Sequence, residues 1–171
     1  MSLLSKLKPA PVWIYFEEIC KIPRLSKNEA SIRKYLLDFA TIHGLESRED
    51  PAGNILITRP PTPGYEGRNT IVLQSHMDMV GEKNADHPHD WMNDPIIPEP
   101  GDQWVSARGT TLGADDGIGI AAQLAILTDN ELKAGKIECL FTVDEESGMT
   151  GAMNLQSGFF EGRTLLNLDS E

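Results

Sequence analysis

Thr70-Ile71-Val72-Leu73-Gln74-Ser75-His76-Met77-Asp78 joins a short apolar run to an imidazole and a carboxylate. The arrangement recurs: Lys136 to Val143 delivers Asp144-Glu145-Glu146, and Thr164 to Leu168 delivers Asp169. Each run is short enough for a buried strand and is partly β-branched or aromatic, so the polar group that follows should emerge at a sheet edge. In an open α/β sheet that edge is where ligands bind. One imidazole and several carboxylates converging there read as a metal site.

Outward from these runs, the pattern alternates strands with helices. Pro11 to Ile22 carries Trp13, Ile14, Phe16, Ile19 and Cys20 at helical spacing, and Pro23 stops it. Ser26-Lys27-Asn28-Glu29 has the form of a capping box ahead of Ile32, Tyr35, Leu36 and Phe39, and Gly44 suits the left-handed position after that helix. Extended segments are predicted over Leu45 to Glu49 and Asn54 to Thr58, joined by a turn at Pro51-Ala52-Gly53. Gly81 to Pro100 is a long proline-broken excursion, followed by a short strand over Gln103 to Ala107. Helices are expected over Gly117 to Thr128 and Gly148 to Gln156, with the final strand over Arg163 to Leu168. The order strand, helix, strand, helix, strand predicts a three-layer αβα sandwich on a mainly parallel central sheet.

With 171 residues and 40% of them hydrophobic, the chain has the material for one core but not two. Its net charge of −11, with no basic stripe, argues against nucleic acid and anionic membrane as partners. Asp78, Asp115, Glu145, Glu146 and Asp169 would repel one another unless cations neutralised them. The stretch Met1 to Pro9 lacks an apolar run of signal-peptide length, and no segment approaches the ~20 apolar residues of a membrane span. Cys20 and Cys139, far apart and among apolar neighbours, read as reduced core thiols of a cytoplasmic protein. His43, near the C-terminus of the second helix, and His87 and His89, in polar, proline-interrupted sequence, read as surface residues rather than ligands.

Taken singly, the polar motifs are weak. In a strand, His76 and Asp78 share a face, and Asp78 could accept the second ring N–H of His76, fixing the tautomer of a ligand. Two adjacent carboxylates at the end of a buried strand, Glu145 and Glu146, allow one to hold an ion while the other takes a proton from water. Asp115, in Gly113-Ala114-Asp115-Asp116-Gly117, reads either as a helix N-cap or as a carboxylate shared by two ions, its flanking glycines implying a close approach. A nucleotide loop is the competing reading, disfavoured because the Lys-Ser/Thr of a P-loop and the G-x-G-x-x-G spacing are both missing.

Together, Ser75-His76-Met77-Asp78-Met79-Val80, Arg108 to Gly117, Thr142-Val143-Asp144-Glu145-Glu146-Ser147-Gly148 and Asn167-Leu168-Asp169-Ser170-Glu171 resemble, in order, the motifs of the co-catalytic zinc exopeptidases related to aminoacylases and carnosinases. Within that group the chain looks like the branch acting on aminoacyl-histidine, from Pro11 to Glu171. The resemblance implies two divalent metal ions, Zn2+ first, with Co2+ or Mn2+ also accommodated. It implies that His76 and Asp169 hold one ion, Glu146 holds the other, Asp115 bridges them, Asp78 orients His76, and Glu145 is the general base. It also implies a cis peptide at Asp115-Asp116. The expected function is hydrolysis of dipeptides, those ending in histidine foremost, by a cytoplasmic homodimer. An N-acyl amino acid deacylase and a non-catalytic metal-binding domain are the alternatives. Family members carry a lid domain and a late histidine ligand, so residues 1–171 are expected to be the N-terminal portion of the catalytic domain, with weak metal binding and turnover on their own.

Overall fold

A computed structural model describes residues 3–169; Met1 and Ser2 of the N-terminal stretch, and Ser170 and Glu171 of the last motif, lie outside the described residues. In chain order the elements are α1 (Ala10–Ile19), α2 (Ala30–Ile42), β1 (Glu46–Glu49), β2 (Ile55–Arg59), β3 (Ile71–His76), β4 (Pro98–Pro100), β5 (Val105–Ala107), α3 (Ala114–Thr128), β6 (Ile137–Thr142), α4 (Glu145–Gly148), α5 (Thr150–Met153) and β7 (Thr164–Asn167). Five strands form one sheet in the order β1-β2-β6-β3-β7. The pairs β6/β3 and β3/β7 are parallel, and β2 is antiparallel to both β1 and β6. Only β2 therefore opposes the common strand direction, and the sheet is mainly parallel.

β6 lies inside the sheet and all six of its residues are buried. Its side chains alternate between two faces, as strand geometry requires. Cys139 and Phe141 join Leu73 and Ile57 against the helices, where Phe16, Ile32, Leu36 and Leu124 complete the main core. Each fully buried aliphatic or aromatic side chain there contributes roughly 1.5–3 kcal/mol. Leu140 faces the other way with Leu56 and Val72, covered by Leu155, Phe159 and Phe160. Glu138, on this second face, is buried with its carboxylate accepting the N–H groups of Glu161 and Gly162. The first helical layer is thus α1 to α3; the second consists, among the described residues, of α5 and the segment 154–162.

Three local expectations are corrected. The helix predicted over Gly148 to Gln156 is two single turns, broken at Met149 with φ +53°. The break follows from Asn54, whose side chain accepts from Val143 N and donates to Gly151 O, pinning the chain on both sides of the turn. The strand over Gln103 to Ala107 shortens to β5 and pairs with β4 in a separate hairpin. Pro98 and Pro100 lack N–H donors, which limits that ladder. Finally, Ser26 does not cap α2, whose N-cap is Glu29 without a side-chain capping bond. Gly44 takes the left-handed conformation after α2 as expected, with φ +64°. No helix among the described residues is long and apolar enough to cross a membrane.

Candidate metal centre

Strand register brings three polar segments to one sheet edge. His76 of β3 pairs with Thr142 of β6, so the Asp144–Glu146 turn follows directly beside His76–Asp78. Gln74 pairs with Asn167 of β7, which places Asp169, two residues further on, level with His76. α3 supplies the fourth side: Asp115 and Asp116 have non-helical backbone at its start, joined by a cis peptide.

His76 is the hub and is buried. Its Nε2 lies 2.8 Å from Asp115 Oδ1 and 3.9 Å from Asp169 Oδ1, while Nδ1 lies 3.3 Å from Asp78 Oδ1. Burial disfavours the imidazolium, but the Asp78 and Asp115 carboxylates outweigh it and raise the His76 pKa to about 9 in the metal-free chain. Asp78 is fully buried. Desolvation pushes its carboxyl up, yet contacts from His76, Ser26 and the N–H groups of Glu145 and Glu146 prevail and lower it to about 2. Asp116 accepts the N–H of His76 and of Gly119; burial raises its pKa to about 7. For Glu146, burial and then the Asp115 charge push the carboxyl above its ordinary value.

Ligand-type atoms of His76, Asp115 and Glu146 lie within 4.8 Å of one another, and so do those of His76, Glu145 and Asp169. The five carboxylates named from the sequence, Asp78, Asp115, Glu145, Glu146 and Asp169, thus surround the His76 imidazole. Glu29, Asp78 and Asp144 form another close acidic trio. These three are already served by donors: Glu29 by Lys27 N and Asp144 N, and Asp144 by the Ser147 and Thr150 hydroxyls. His43 packs on Phe39, and His87 and His89 stack in the 81–100 excursion, where His89, expected at the surface, is instead buried beside Trp91.

The profile of peptidase family M20/M25/M40 matches residues 72–167, which is more than half of the chain and spans His76 to Glu146. The chain belongs to that family. This M20 chain is 47% identical over 171 residues to the cytosol non-specific dipeptidase of Escherichia coli K12, covering 100% of the chain and 35% of that protein. It superposes on the crystal structure of aminoacylhistidine dipeptidase from Vibrio alginolyticus with a TM-score of 0.96 at 51% identity, over 99% of this chain and 35% of that one. A tripeptidase from Staphylococcus aureus matches with a TM-score of 0.78 at 28% identity, over 94% of this chain and 43% of that one. The M20 chain thus spans about a third of the length of the first two relatives.

The donor set fits divalent cations. Four carboxylates gather around one imidazole, and among the described residues no Lys or Arg salt bridge reaches Asp115, Glu145 or Glu146. Such a cluster of like charges is stable near neutral pH only when neutralised. His76 with carboxylates suits zinc-type ions. Two supporting residues escaped the sequence reading. Ser26 donates to Asp78, and Arg24, buried beneath the site, donates to the carbonyls of Met77, Asp78 and Gly113. Neither carried a local signal, because their partners lie more than 50 residues away.

Proposed function

We propose that this M20 chain supplies part of the active site of a dinuclear metallodipeptidase. One observation carries the reading: a buried imidazole with four carboxylates around it at the sheet edge, with no Lys or Arg salt bridge to Asp115, Glu145 or Glu146 among the described residues. His76 and Asp169 would hold one ion and Glu146 the other, with Asp115 reaching both. Zn2+ suits this set first, and Co2+ or Mn2+ would also be accepted. When bound, such ions polarise a scissile carbonyl and make water nucleophilic near neutral pH.

The chain's own groups do the rest. Asp78, facing Nδ1 of His76, fixes the ring so that Nε2 points into the cluster. Glu145 takes a proton from the attacking water as the C–O bond forms, and passes it to the departing amine nitrogen as the C–N bond breaks. The substrates are dipeptides, including those with a C-terminal histidine, in keeping with the relatives named above. The working protein is a cytoplasmic homodimer in which residues outside 1–171 complete the second ion's ligands and form the lid.

The test uses the chain within its whole reading frame. Glu145→Gln should keep Zn2+ binding, measured by calorimetry, and lower kcat by about 10²-fold or more on a dipeptide panel. Normal turnover in that variant would remove the role given to Glu145. Faster hydrolysis of N-acetyl amino acids than of any dipeptide would replace the dipeptidase reading with a deacylase.

A further inference from the structure

Arg24 is 2% exposed and lies between two segments of the metal centre. Its Nη1 donates to Met77 O at 3.0 Å and Asp78 O at 2.8 Å, and its Nη2 donates to Gly113 O at 2.5 Å. The first two carbonyls follow His76 directly; the third stands two residues before Asp115. Backbone bonds bring the arginine itself into register, with Met79 N donating to Arg24 O at 3.1 Å. The glycine loop is shaped around the guanidinium. A Cβ at Gly113 would lie 2.7 Å from Nη2, and one at Gly117 would lie 2.6 Å from it. Gly113 also has φ +67°, but Gly117 sits in α3 with no such backbone demand. Its lack of a side chain is explained first by the space Arg24 occupies and then by the Phe16 ring, 3.2 Å from such a Cβ.

A buried guanidinium whose hydrogen bonds among the described residues go to carbonyls is an expensive way to fill space. Its planar fork, however, spans two chain segments at fixed spacing, which a lysine ammonium cannot do. From this we infer that Arg24 is a positioning residue: it sets the separation between His76 on the β3 end and Asp115 on the glycine loop, and so tunes the affinity of the cation site. The inference rests on the metal reading given above.

The test is Co2+ titration of the full chain, followed by the visible d–d absorption of the bound ion, with folding checked by circular dichroism. Outer partners of metal ligands typically govern affinity by about 10–100-fold. Arg24→Lys and Arg24→Met should each weaken Co2+ binding at least tenfold and alter the absorption band, and millimolar guanidinium added to Arg24→Ala should restore part of the loss. Gly117→Ala should weaken binding similarly in the parent chain, and should have a clearly smaller effect in the Arg24→Met background, where the guanidinium is gone and only the Phe16 ring, 3.2 Å from the added Cβ, still crowds it. That pair keeps the idea testable if one arginine variant folds poorly. A parent chain that binds no Co2+ would overturn the metal reading and this one with it. Tight parent binding matched by Arg24→Met, or equal effects of Gly117→Ala in both backgrounds, would overturn the positioning role alone.

Discussion

Oδ2 of Asp78 accepts the Ser26 hydroxyl at 2.7 Å, while Oδ1 of the same carboxylate faces His76 Nδ1 at 3.3 Å. The loop before α2 therefore helps to hold the group that orients the imidazole. The two N–H groups of Glu145 and Glu146 complete the shell, at 3.0 and 3.1 Å. One buried carboxylate thus couples three chain segments.

Removing the Ser26 hydroxyl leaves that carboxylate short of a donor. A hydrogen bond to a charged group contributes about 1.5–3 kcal/mol. Ser26→Ala should lower stability by an amount in that range, read from the urea unfolding midpoint, whereas Ser26→Thr should retain most of it. A change within error for Ser26→Ala would mean that the two backbone donors suffice.

The reason Ser26 was misread locally is general to this site. Apolar runs ending in polar residues made the strand ends legible, since β3 and β6 bury most of their side chains and release a charged group where pairing stops. β7, expected as a buried strand, is instead an edge strand whose four residues are exposed, although its register still delivers Asp169 beside His76. The glycines around Asp115 signalled a close approach, and the structure supplies its object, Arg24. Contacts between distant segments left no such trace. Ser26-x-x-Glu29 has the local form of a cap, but tertiary partners take both side chains: Asp78 takes Ser26, and Asp144 N donates to Glu29. Likewise the apolar spacing after Gly148 could not reveal that Asn54 would interrupt the helix. The antiparallel insertion of β2 between β1 and β6 is also a matter of pairing partners rather than of the strand's own residues.

Gly119 offers a case in which two effects have opposite signs. In an ordinary helix, alanine is favoured over glycine by about 1 kcal/mol. Here an added Cβ would run into the buried Asp116 carboxylate. Overpacking of this kind costs about 1–3 kcal/mol. Gly119→Ala should therefore be net destabilising in thermal or urea unfolding. In an Asp116→Ala background, with the obstruction gone, the same change should become stabilising.

The thiols give a prediction of inertness. Cys20 and Cys139 are free and buried. Burial pushes the Cys20 thiol up to about 12, with the Arg24 charge opposing it only in part, and burial also raises Cys139. Because the thiolate is the nucleophile, neither group should react with a disulfide reagent in the native chain near neutral pH. Both should be titrated in denaturant. Rapid modification of one thiol without denaturant would show that its surroundings open locally.

Glu146 should respond oppositely with and without metal. In chelator, its charge is crowded by Asp115, Glu145 and Asp78, so Glu146→Gln relieves repulsion and should raise the unfolding midpoint. With Zn2+ the sign reverses, because a ligand that binds only the folded state stabilises it by mass action, by about 2.7 kcal/mol at one hundred times its Kd. The parent chain should gain stability as Zn2+ is added, and Glu146→Gln should gain less at the same concentration. The two unfolding curves are therefore expected to exchange order between chelator and Zn2+. If the parent is the more stable in both, repulsion within the cluster is not what the carboxylates contribute in the absence of ions.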